Sequence, residues 1–129
     1  MNARSIAEEC SLGSEQDRLT FPQVLGKLKE GGIEGYFCDL RRNLKTYYLP
    51  DGETVDVPLT DLGVPVAEVF DAAAVDKAVR LSQANAHTYR QFLEKIMRGG
   101  CSGYLVSLPG WRTVYLGRTG ETHIEHFPK

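Results

Sequence analysis

Sliding the chain against itself by 68 positions lays Thr20–Tyr36 on Thr88–Tyr104, and the match continues without a gap to Gly52-Glu53-Thr54 on Gly120-Glu121-Thr122. Of these 35 aligned positions 13 are identical, among them Thr20/Thr88, Gln23/Gln91, Gly31/Gly99, Gly32/Gly100, Gly35/Gly103, Tyr36/Tyr104 and Tyr47/Tyr115. Unrelated sequence of ordinary composition gives roughly two. The pattern reads as an internal duplication, so the two stretches are expected to fold alike.

The repeated residues spell out one structural unit. Thr20 and Thr88 each stand three residues before a Gln, the capping box that satisfies free amides at a helix start. Phe21, Val24, Leu25 and Leu28, and Tyr89, Phe92, Leu93 and Ile96, follow at one-face helical spacing. Gly31-Gly32 and Gly99-Gly100 then supply helix stops. Ile33–Leu40 and Leu44–Leu49 flank the polar Arg41-Arg42-Asn43, and Cys101–Leu108 and Arg112–Leu116 flank Pro109-Gly110. Asp51-Gly52 and Thr119-Gly120 read as turns into third strands near Glu53–Val57 and Glu121–Phe127. A further helix precedes each unit, over 3–12 and over 72–85, the latter capped by Asp71.

The expected fold class is therefore α+β: two ααβββ halves, approximately 1–57 and 71–129, joined by a linker over 58–70. We expect antiparallel strands packed against helices, a pseudo-twofold axis and a single domain, because a half of roughly 60 residues buries little core alone. One mismatch stands out. Val55 and Val57 align with His123 and Glu125, while the apolar residue of the second copy is Ile124. A reversed alternation predicts a bulge or register change in the last strand.

Composition narrows the function classes. The chain has 129 residues, 25% charged, with a formal net charge of −2. That balance gives no general electrostatic reason to bind nucleic acid or anionic lipid. No apolar run approaches the roughly 20 residues of a membrane span. The start reads as lacking a signal peptide, and Cys10, Cys38 and Cys101, an odd set with no CxxC, read as reduced, buried thiols. A cytoplasmic location is the expectation. The halves differ in charge, 7 basic against 11 acidic residues in 1–64 and 8 against 6 in 65–129.

No phosphate-binding loop or nucleophile elbow is present. No catalytic residue, cofactor or metal site is assigned. His123 and His126 point to opposite faces of a strand; His123 with Glu125 and a distant third ligand is the one metal grouping weighed, and an exposed terminal strand is the simpler reading. Candidate binding residues fall in two groups. Tyr36, Tyr104, Glu53 and Glu121 would be related by the pseudo-axis and could line a cleft between the repeats, although a shared scaffold explains their retention as well. Arg41 and Arg42 offer an anion-binding patch, and Trp111, on a Pro-Gly-Trp loop, an anchor for a partner.

The run Thr88-Tyr-Arg-Gln-Phe-Leu, followed by Gly99-Gly100, Gly103-Tyr104-Leu-Val-Ser-Leu, Val114-Tyr115, Gly120-Glu121 and Phe127-Pro128, resembles the YdfO-like proteins. Phe21-Pro22, Leu28, Gly32-Ile33, Tyr36 and Asp39-Leu40 extend the resemblance over nearly the whole chain. These are small bacterial and prophage-encoded proteins of unknown function, often labelled phage envelope proteins. The resemblance implies a single α+β domain and a phage or prophage connection, and carries over no activity, cofactor or site residue. The expected function is a protein-interaction or accessory module with a protein partner or a second copy of itself. The alternative is a small-molecule binder or enzyme with a cleft between the repeats.

Overall fold

The computed structural model describes residues 2–128. Helices α1 (Ala3–Glu15) and α2 (Phe21–Glu30) precede strands β1 (Gly35–Asp39), β2 (Leu44–Tyr48) and β3 (Thr54–Pro58). Helices α3 (Ala72–Gln83) and α4 (Tyr89–Arg98) precede β4 (Cys101–Ser107), β5 (Arg112–Gly117) and β6 (Thr122–His126). The fold is α+β, with one six-stranded sheet in the order β3-β2-β1-β4-β5-β6 and every neighbouring pair antiparallel.

Local chemistry sets the helix ends. The Thr20 and Thr88 hydroxyls accept the Gln23 and Gln91 amides, and both glutamines reach back at 2.8 Å to the capping threonine's own N–H. Both capping boxes therefore form as the sequence predicts. Asp71 caps α3 by accepting from the Ala74 amide. At the end of α2 the Ile33 amide donates to Leu28 and the Gly32 amide to Lys29, which closes the helix through a left-handed glycine. Helix α1 runs three residues past the expected Leu12, and Gly13 is buried against Leu19.

The helices cover one face of the sheet. Tyr36 and Cys38, Lys45 and Tyr47, Val55 and Val57, Tyr104 and Val106, and Thr113 and Tyr115 alternate inward and are buried. Against them pack Ala7 and Cys10 of α1, Leu28 of α2, Val75 and Ala78 of α3, and Leu93 and Ile96 of α4. Among the described residues no helix covers the opposite face. One row across it reads Asp56, Thr46, Phe37, Leu105, Val114, Ile124, all exposed or half-buried. At the sheet's centre β1 and β4 pair closely: a Cβ on Gly35 would stand 2.3 Å from the Val106 carbonyl oxygen.

The last strand corrects one expectation. Val114 faces Ile124, and Tyr115 faces His123, in unbroken register, so β6 carries no bulge. The irregularity lies between Cys101 and Gly103, where β4 meets β5. His123 and Glu125 occupy the inward positions of β6, as Val55 and Val57 do in β3. The segment between β3 and α3 is extended but tied down: Ala67 and Asp71 donate backbone hydrogen bonds to Met97 and Gly99 at the end of α4. No helix among the described residues is long and apolar enough to cross a membrane.

Candidate functional site

Strand direction decides which loops meet. Because β1 and β4 are antiparallel neighbours, the β1–β2 turn and the β4–β5 turn lie at opposite ends of the sheet. The end where β4 finishes also receives the entry into β1 and the β2–β3 turn. Two backbone bonds lock them together, Leu108 N–H to Glu34 and Glu34 N–H to Tyr48, both 2.9 Å. Ile33, Pro50, Leu108, Pro109 and Trp111 thereby line one groove of about 350 Å³, with Lys29 and Glu34 also on its wall. That volume is at the small end of the range for ligand clefts, and the walls are mostly apolar.

Trp111 is the unusual residue here. Its φ is 53°, in the left-handed region that bulky side chains avoid. The turn holds it there. Its amide donates to Leu108, its carbonyl accepts from Phe127, and its indole Nε1 donates to the Pro128 carbonyl at 2.8 Å. The ring meets Phe127 edge-on at 5.3 Å, and Phe127 meets Phe21 at 5.4 Å. In the β1–β2 turn the corresponding left-handed residue is Asn43, at φ 55°, and asparagine tolerates that conformation. A bulky aromatic kept there costs on the order of 1–2 kcal/mol, and strain of this kind concentrates at functional positions.

The remaining candidates are dispersed. Tyr36 and Tyr104 are buried, their rings 6.1 Å apart, in a row with Tyr47 and Tyr115 across four strands. The Tyr104 hydroxyl lies 2.7 Å from that of Tyr89, and burial raises the ionisation of all three phenols well above the usual range. Glu53 is exposed in the β2–β3 turn. Glu121 is exposed in the β5–β6 turn, at the other end of the sheet, where the Thr119 hydroxyl donates to it and lowers its pKa. The two tyrosines and two glutamates thus share no cleft. Arg41 and Arg42 are exposed at the end away from Trp111, their amides donating to the Asp39 carboxylate at 3.0 Å.

A second groove, of about 400 Å³, lies between α1 and β3. Arg4, Glu8, Glu15 and Asp56 stand along it, with Arg4 and Glu8 paired at 3.6 Å, so solvated charge dominates its walls. Sequence reasoning singled out Trp111 but missed Ile33 and Pro50. They come from connections far away in the chain, and only the antiparallel order of β1 and β4 brings them to it.

Among known proteins, the model of a family described as "Protein of unknown function (DUF1398)" matches residues 11–125. Uncharacterized proteins of Mycobacterium bovis and of Mycobacterium tuberculosis are each 33% identical over 109 residues, which is 83% of this chain and 66% of theirs. The chain thus spans a little under two thirds of the length of these relatives. With nearly its whole length matched, the chain belongs to the DUF1398 family.

Proposed function

We propose that this chain is a protein-interaction module that seats an apolar segment of a partner in the groove beside Trp111. The observation that carries the reading is the left-handed Trp111, fixed by its Nε1 bond to Pro128 and by Phe127, on a wall shared with Pro50 and Pro109. A rigid aromatic against prolines offers contact area with little side-chain entropy to lose, the character of an interface anchor. Arg41 and Arg42, at the far end of the sheet, give a separate contact for an acidic group. The internal duplication belongs to the same reading. The paired residues Phe37 and Leu105 are also each other's equivalents under the shift of 68, and the β1–β4 register maps onto itself under that shift. This supports two halves about a pseudo-twofold axis through that pair, with Trp111 on one half only. A phage or prophage setting, which the YdfO-like resemblance implies, is part of the proposal too.

The test is affinity capture from bacterial lysate by the wild type, Trp111→Ala and Arg41→Ala, each shown to be folded by circular dichroism. Trp111→Ala should lose a partner that the wild type holds. Trp111 is the only tryptophan, so adding the recovered partner should shift the emission of the wild type. Equal recovery by Trp111→Ala, or emission that does not move, would sink the reading.

A further inference from the structure

Where α3 lies on β6, the inner layer is polar. His123 and Glu125 stand opposite Tyr115 and Thr113 just as Val55 and Val57 stand opposite Tyr47 and Lys45, so apolar side chains suit the same register elsewhere in the sheet. Asp76 and Arg80, one helical turn apart on α3, come down on this pair. The ligand atoms of Asp76, His123 and Glu125 all fall within 4.8 Å of one another, and all three residues are partly buried. His123 Nε2 is buried and has no hydrogen-bond partner among the described residues. It lies 3.3 Å from Asp76 Oδ1 but is not aligned with it. A buried, unaligned ring nitrogen is an uncompensated polar atom. A separation of about 3.3 Å is also the ligand-to-ligand edge of a tetrahedron with bonds of about 2.0–2.1 Å.

We propose that Asp76, His123 and Glu125 bind a divalent transition-metal ion, with zinc the best match. One imidazole and two carboxylates suit a borderline cation, and three protein ligands leave a fourth place for water. Gln83 Nε2 donates to Glu125 Oε1 at 3.1 Å and helps to orient that ligand. The chain also supplies the ion's competitor. The Arg80 guanidinium bonds Glu125 at 2.8 and 2.9 Å and Asp76 at 3.1 Å. Its side chain is 53% exposed, so it can swing out to water as the ion enters, and a charge of +2 balances the two carboxylates that +1 leaves in excess.

The test is calorimetric titration of untagged protein with Zn²⁺, for the wild type and for His123→Val, Arg80→Ala and His126→Ala, each checked for fold by circular dichroism. Co²⁺ serves as the spectroscopic probe. The wild type should bind one ion saturably, and His123→Val should bind roughly tenfold more weakly or worse, since even outer-shell losses reach that size. Arg80→Ala should bind more tightly, His126→Ala should match the wild type, and the cobalt spectrum should lack thiolate charge transfer. No saturable binding by the wild type would overturn the proposal, and so would binding that appears only in Arg80→Ala, where the arginine itself would be the resident cation. Affinity retained in His123→Val, or a thiolate band, would place the ion elsewhere and overturn it equally.

Discussion

The helices α2 and α4 end on the same chemistry, yet the same substitution should cost them different amounts. Gly32 and Gly100 both have left-handed backbones, at φ 73° and 86°. A Cβ at Gly32 would meet nothing within 4 Å, whereas at Gly100 it would stand 2.2 Å from the Val69 carbonyl oxygen and 2.7 Å from Phe70 Cα. Gly32→Ala therefore carries only the conformational penalty, about 1 kcal/mol. Gly100→Ala carries that penalty and must also push the linker backbone away by about 1 Å to restore ordinary contact. That shift strains the bonds from Ala67 to Met97 and from Asp71 to Gly99, which are 3.0 and 2.7 Å long. Overpacking against backbone adds roughly 1–3 kcal/mol, for a total of about 2–4. In a domain of this size that is a fall in Tm of about 4 °C for Gly32→Ala and about 8–16 °C for Gly100→Ala. Urea denaturation followed by circular dichroism, with m unchanged, measures both. Equal losses would refute the wedge against the linker, and an unharmed Gly32→Ala would refute the left-handed cap.

Two further outcomes follow from the buried core. Lys45 is 2% exposed and takes part in no ion pair among the described residues, with its Nζ 4.7 Å above the Tyr89 ring. Burial lowers its pKa below the ordinary 10.5, against the opposing pull of Cys38, Glu15 and Cys10. Lys45→Met loses a cation–π contact worth about 1–2 kcal/mol but also removes the cost of taking one ion out of water, several kcal/mol, so below the folded pKa the variant should be the more stable by about 1 kcal/mol or more. Between the lowered folded value and 10.5 the unfolded chain binds the extra proton, so wild-type stability gains on the variant as pH rises. The gap between the two proteins should thus be full below that window and close across it; a gap that widens with pH contradicts the assignment. The thiols of Cys10, Cys38 and Cys101 are pushed up to about 11, chiefly by burial. None should react with a thiol reagent in the native protein at pH 8, and all three should react on unfolding; a fast native thiol would contradict their placement.

What was legible in the sequence was local. A capping box needs only a threonine and a glutamine three residues apart, and a helix stop needs only its glycine. The ends of α2 and α4 and the Asp71 cap were therefore readable from short windows. The candidate site was half legible. Trp111 stood out as an aromatic in a Pro-Gly turn, but its left-handed backbone and its neighbours Ile33 and Pro50 did not. For Tyr36 and Tyr104 the sequence left a cleft and a shared scaffold both open, and their burial in the core agrees with the scaffold, because the helices cover that face.

The last strand marks the boundary most clearly. Its sequence, Thr122-His-Ile-Glu-His126, places its single apolar residue where β3 has a polar one, which argued for a shifted register. The tertiary structure keeps the register and leaves Ile124 exposed. Pairing with β5 sets which way each residue faces, and α3 brings Arg80 and Asp76 to meet the polar groups that then point inward. The order and ends of the elements follow from interactions three to five residues long, which the sequence by itself determines. The face that each strand buries, the residues that share a groove and the partners of an inward charge depend on groups that the local windows do not span, 17 positions apart for Ile33 and Pro50 and 45 for Arg80 and Glu125. Only the packed chain brings those groups within bonding distance.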